Sequence, residues 1–129
     1  MPLEVIEPCG FPLTARALQR SALDYGDAAA IDRVVSFTEF LARPARREGR
    51  LVLVETDGAA GLYDFSFEPG DTLILGRESA GSPPELCAAA KAVVRIPMAA
   101  GMRSLNVVVA GAIVLSEALR QTGGYKDLV

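Results

Sequence analysis

Three short apolar runs constrain this chain most: Leu51-Val52-Leu53-Val54, Thr72 to Leu75, and Ala92 to Ile96. None alternates polar and apolar residues as a half-exposed strand does, so each reads as a strand buried on both faces. Turn chemistry follows each one directly: Thr56-Asp57-Gly58, then Gly76 through Gly81, then Pro97 through Ser104. Strands of this kind alternating with helical stretches imply an α/β fold, a mostly parallel sheet flanked by helices. Ligands of such sheets collect beyond the carboxyl ends of the strands, where glycine lets backbone approach them closely. The three loops are therefore the candidate site.

The remaining segments fill in around these strands. Leu3-Glu4-Val5-Ile6 reads as a short strand stopped by Pro8 and Gly10, and Ile31 to Val35 as another. Thr14 can cap a helix with Leu18, Ala22 and Leu23 on one side. Ser36 can cap a shorter one with Phe37, Phe40 and Leu41 inward. Tyr63, Phe65 and Phe67 alternate as in an edge segment, ahead of a turn at Pro69-Gly70-Asp71. Ser82-Pro83-Pro84-Glu85 predicts a helix start with Ser82 as the cap. A long helix is expected from Arg103 or Ser104 to Gln121, stopped by Gly123-Gly124. Its apolar, Val-rich middle also admits a strand, but its length and the Glu117-Ala118-Leu119-Arg120 ending point to helix.

A chain of 129 residues without repeats or linkers fits one domain, residues 1–129. The net charge of −3 gives no domain-wide basic surface for a nucleic acid, so any such contact must be local. Arg43, Arg46, Arg47 and Arg50 form one cluster and Arg16 and Arg20 another, although clusters of this kind also occur as plain solvated surface. The absence of His removes Ser-His-Asp, Cys-His and His-ligated zinc chemistry, and no metal is expected. Cys9 and Cys87 lack metal-site spacing; one disulfide is conceivable, two free thiols in a reducing compartment fit better. No signal-peptide pattern opens the chain, and the run Val107 to Leu115 is too short to span a bilayer, so a soluble cytoplasmic protein is expected.

The loops are more specific together than singly. Gly76 and Gly81 alone match neither a dinucleotide fingerprint nor a phosphate-binding loop. But Ile74-Leu75-Gly76-Arg77-Glu78-Ser79-Ala80-Gly81, then Arg95-Ile96-Pro97-Met98, then Met102-Arg103-Ser104-Leu105-Asn106-Val107 resembles motifs two and three of the SPOUT RNA methyltransferases in order and separation. Glu117 to Gln121 fits the same family. Ile6-Glu7-Pro8-x-Gly10-Phe11 and Leu18-Gln19-Arg20-x-x-Leu23-Asp24-Tyr25 are similar to its branch of tRNA (cytidine/uridine) ribose 2′-O-methyltransferases acting on the wobble nucleotide.

The resemblance implies a deep trefoil knot at the C-terminal end, a feature too rare among folds to be read from periodicity. It implies S-adenosylmethionine as cofactor, held around Val54, Thr56, Gly58, Gly76, Glu78, Gly81, Ile96, Met98, Ser104, Leu105 and Asn106. It implies tRNA as partner, with Arg20 and Arg103 as candidate catalytic residues and Arg77 as a further candidate RNA contact. A homodimer through the C-terminal helix is also implied, and the apolar stretch from Val107 to Leu115 suits burial against both the sheet and a second copy.

Two departures from the family pattern stand out. Met1-Pro2-Leu3 aligns with the second strand of the family, so an N-terminally truncated version is expected, starting roughly 20–30 residues late on ordinary domain anatomy and lacking motif one with its Arg. That leaves an alternative to the active enzyme: a catalytically silent module that binds the cofactor or RNA. The second departure is Ser116, where many relatives carry Tyr.

Overall fold

A computed structural model describes residues 2–10, 14, 31–77 and 81–126. The chain divides into two compact units, Met1–Pro44 and Ala45–Val129. The helix expected after Thr14 lies outside the described residues, as do Arg16 and Arg20.

In the first unit, β1 (Leu3–Ile6) pairs in parallel with β2 (Ile31–Val34), Leu3 opposite Ile31 and Ile6 opposite Val34. Helix α1 (Phe37–Ala42) begins where Ser36 Oγ accepts the Glu39 amide at 3.1 Å, as expected of the cap. Phe40 is buried and stacks with Phe37, centroids 5.9 Å apart. Leu41, expected inward, is exposed, because the helix has too few turns to cover both of its sides. Arg43 Nη1 donates to Glu4 of β1 at 2.7 Å and to Asp32 of β2, tying the two strands to the end of α1. One member of the arginine cluster is thus committed to internal ion pairs.

The second unit holds a four-stranded sheet in the order β4-β6-β3-β5, parallel at every pair: β3 (Leu51–Val54), β4 (Ala60–Gly61), β5 (Thr72–Leu75) and β6 (Ala92–Arg95). Parallel strands need crossover connections, and α2 (Pro84–Ala89) lies in the one that carries the chain from β5 past β3 to β6. β3 lies between β5 and β6, which explains why all four of its residues are buried. Val52, Val54, Leu62, Phe67, Val94 and Val114 form the core, each side chain contributing about 1.5–3 kcal/mol by its removal from water.

Three expectations need correction here. The segment Tyr63 to Phe67 is not a strand; the sheet edge is the two-residue β4 before it. The 65–67 backbone is instead held by one side chain: Gln121 Nε2 donates to Phe65 O at 3.0 Å and Gln121 Oε1 accepts from Phe67 N at 2.9 Å. Ser82 does not cap α2, whose cap position is Pro83; the Ser82 hydroxyl is drawn away to Glu55. The long helix α3 (Val107–Thr122) starts later than expected, because Asn106 Oδ1 accepts from Val108 N and Val109 N and fixes the cap there. Gly123, in the left-handed region at φ 74°, ends it as expected.

Helix α3 buries Val114 against the core but leaves Val108 at 73% and Val109 at 47% exposed, so its apolar stretch is only partly covered within this chain. No helix among the described residues is long and apolar enough to cross a membrane.

The other members of the arginine cluster belong to this unit. Arg50 makes a two-pronged pair with Asp71, both contacts 2.8 Å, and lies 5.4 Å from the Phe65 ring centroid. Arg46 donates to Thr72 Oγ1 at 3.0 Å, and Arg47 is exposed.

Candidate functional site

Val54 lies opposite both Leu75 and Val94, so β3, β5 and β6 end at one edge of the sheet. Their loops and the start of α3 enclose an open cavity of about 780 Å³. That size falls within the usual range for small-molecule sites, roughly 300–1,000 Å³. Val54, Glu55 and Thr56 come from the β3 end. Leu75, Gly76, Arg77 and Gly81 come from the β5 end. Ile96, Met98, Gly101, Met102, Arg103, Ser104 and Leu105 follow β6, and Val107 and Ala110 belong to α3.

Of the cofactor residues expected from the sequence, Val54, Thr56, Gly76, Gly81, Ile96, Met98, Ser104 and Leu105 line this one cavity. Glu78 lies outside the described residues. Gly58 and Asn106 are not among the lining residues. Gly58 is buried against β6, where a Cβ would fall 2.6 Å from the Val94 carbonyl carbon and 2.7 Å from the Arg95 nitrogen. Its carbonyl accepts from Arg95 Nη1 at 2.6 Å. Gly58 therefore secures the β3 loop to the sheet, while Asn106 caps α3. Arg103 and Arg77 are both on the cavity wall, and Arg20 lies outside the described residues.

Sequence reasoning missed Glu55, the one carboxylate among the described lining residues. Ser82 Oγ donates to Glu55 Oε1, and a Cβ on Gly76 would fall 2.6 Å from each of those two oxygens. Only glycine leaves the end of β5 close enough for this pair to meet. The signal for Glu55 was its place directly after a buried strand. Leu75, Met102, Val107 and Ala110 were also missed, since an apolar residue in a wall looks the same in sequence as one in a core.

The lining suits a nucleoside-bearing cofactor. Val54, Leu75, Ile96, Met98, Leu105 and Ala110 supply apolar surface for a flat base, and glycines and hydroxyls supply polar groups at its edges. On α3, Ser116, where the sequence departs from the family pattern, accepts the Tyr125 hydroxyl at 2.8 Å.

Comparison with known proteins agrees in direction. Residues 2–116 match the SpoU rRNA Methylase family. The chain is 50% identical over 125 residues to the tRNA (cytidine(34)-2'-O)-methyltransferase of Beijerinckia indica subsp. indica, covering 97% of this chain and 78% of that protein. A solved structure concerned with 2-OH methylation of C/U34 on tRNA is similar at TM-score 0.83 and 39% identity, over 95% of this chain and 80% of that one. The SpoU methyltransferase AviRb from Streptomyces viridochromogenes, solved with its cofactor AdoMet, is similar at TM-score 0.77 and 27% identity, over 93% of this chain and 49% of that one.

Proposed function

The chain belongs to the SpoU rRNA methylase family, and from that premise we propose that its cavity holds S-adenosylmethionine for methylation of a tRNA ribose. The protein is a tRNA 2′-O-methyltransferase that acts on the wobble cytidine, the activity its relatives are named for. The single observation that carries the site assignment is the convergence of eight expected cofactor residues, Val54, Thr56, Gly76, Gly81, Ile96, Met98, Ser104 and Leu105, on one cavity at the carboxyl edge of a parallel sheet. Named enzymes sharing half of this sequence favour catalysis over the silent module.

S-adenosylmethionine supplies an electrophilic methyl group on a sulfonium that departs as a neutral thioether. The protein's work is mostly positional. Ile96, Met98 and Leu105 would pack the adenine and keep water from it, while main-chain groups at Thr56 and Gly76 and the Ser104 hydroxyl would hold its polar edges. Holding the 2′-oxygen in line with the methyl carbon and sulfur is the largest contribution, since a well-oriented pair reacts as if at very high concentration. Transfer would form the oxygen–carbon bond, break the carbon–sulfur bond and release the 2′-hydroxyl proton to solvent water. Arg103 is the described arginine we assign to the reacting nucleotide; Arg20 keeps the sequence-based assignment alone.

Four further readings belong to this proposal. Residues 1–129 form one methyltransferase domain, since the family match runs across both compact units. The segment from β5 through α3 forms the trefoil knot of the family, which the parallel β5–β3–β6 arrangement and the likeness to the solved structures support. Two copies pair through α3, supported by the exposed Val108 and Val109, and the reaction takes place in the cytoplasm with its tRNA.

Calorimetric titration with S-adenosylhomocysteine tests the site. Saturable one-to-one binding is expected, weakened at least about tenfold by Leu105→Glu, which puts a charge where an apolar contact is needed. A folded chain that binds none overturns the assignment.

A further inference from the structure

The described arginines divide sharply by what they touch. Arg33 pairs with Glu7, Arg43 with Glu4, Asp32 and Glu39, Arg50 with Asp71 and Glu68, and Arg120 with Glu117. Arg46 donates to Thr72, and Arg95 to the carbonyls of Gly58 and Ala59. Among the described arginines, Arg47, Arg77 and Arg103 have no such partner, and of these three Arg77 and Arg103 line the cavity. They come from different loops, one directly after β5 and the other just before α3. Glu55, the one carboxylate among the described lining residues, already receives the Ser82 hydroxyl. Among the described lining residues of this chain of net charge −3, two guanidinium groups thus stand beside one carboxylate, and neither guanidinium is committed to a partner.

We infer that Arg77 and Arg103 form a two-point grip on the RNA backbone, each holding a phosphate beside the ribose presented to the cavity. This rests on the methyltransferase reading above and says which residues seat the substrate. A guanidinium offers parallel donors matched to two phosphate oxygens, so a pair on two different loops fixes the strand in position and direction. Phosphate contacts place a nucleic acid without reading its bases, which is what a ribose-directed reaction needs from them. Arginines committed to internal carboxylates cannot do this, and the cluster from Arg43 to Arg50 therefore contributes less than its sequence density suggests.

The test measures tRNA binding to the full chain across a range of potassium chloride concentrations, with S-adenosylhomocysteine binding measured in parallel. Arg77→Ala and Arg103→Ala each weaken tRNA binding on the order of tenfold at low salt, and each lowers the slope of log K against log salt by about 0.7–0.9. Arg77→Lys keeps the slope but loses affinity, because charge remains while the fork is gone. Affinity for S-adenosylhomocysteine stays within about twofold of wild type. An unchanged salt slope with lost S-adenosylhomocysteine binding would overturn the inference, since the arginines would then hold the carboxylate of the cofactor. Unchanged binding of both ligands would overturn it equally. Failure of the wild-type chain to methylate tRNA would instead sink the underlying reading.

Discussion

The Ser82 hydroxyl donates to the Glu55 carboxylate at the cavity wall, joining the end of β3 to the segment that leads into α2. Gly76 makes the contact possible by carrying no Cβ where both oxygens approach. This pair fixes the separation of two of the loops that line the cavity. Ser82→Ala and Glu55→Ala should each weaken S-adenosylhomocysteine binding about three- to tenfold. The double variant should be little worse than either single one, because both remove the same contact. Titration calorimetry of the four proteins gives the coupling directly, and full additivity would show that the pair does not act as a unit.

Gly58 is expected to be intolerant of any side chain. A Cβ there meets backbone atoms of Val94 and Arg95, not the movable end of a side chain, so the loop must shift off β6. Gly58→Ala should cost on the order of 1–3 kcal/mol, as overpacking does, and lower the melting temperature by several degrees. A melting curve that does not move would show that the loop accommodates the methyl group freely.

Gln121 stands in for a missing strand partner by bonding both Phe65 O and Phe67 N. Its removal leaves part-buried main-chain groups without partners, so Gln121→Ala should destabilise by about 1–3 kcal/mol in urea unfolding. Gln121→Glu retains an acceptor for Phe67 N but cannot donate to Phe65 O while ionised, and should recover only part of the loss.

Acid should act through Glu117. The Arg120 guanidinium, followed by the Gln121 amide, holds its carboxyl down at about 2 from an ordinary 4.5. A carboxyl with a depressed folded-state pKa contributes stability that is fully present above its unfolded value and lost as pH falls through the folded one. The contribution therefore fades between about pH 4.5 and pH 2. Asp71 acts in the same direction: burial opposes its ionisation, but the hydrogen bonds from Arg50 and the Glu68 amide outweigh it. Arg120→Ala should lower stability at neutral pH, with the gap from wild type closing towards pH 2. A gap independent of pH would mean that the ion pair contributes nothing.

Most of the elements were legible because buried strands and helix ends leave local signals, whereas the order β4-β6-β3-β5 does not. Leu51 to Val54 read best as a buried strand, and Ser36 and Gly123 announced the ends of their helices. What escaped depends on contacts distant in sequence. Ser82 has the sequence of a helix cap, but Glu55, well before it in the chain, takes its hydroxyl. Tyr63 to Phe67 alternates like a strand, but its polar groups are satisfied by a glutamine at the far end of α3. The candidate site was legible as a set of loops because glycines after strands mark close backbone approach. The family resemblance then singled out residues within them. Glu55 and the loop-packing role of Gly58 were not legible, since each is defined by the neighbour it meets in space.

The most direct test of the central claim is methyl transfer from labelled S-adenosylmethionine to tRNA, with the modified nucleoside identified by mass spectrometry. The expected result is cofactor-dependent appearance of 2′-O-methylcytidine at the wobble position, and none with tRNA whose wobble ribose lacks its 2′-hydroxyl. A chain that binds S-adenosylhomocysteine but transfers no methyl, or places it on a base, would contradict the account.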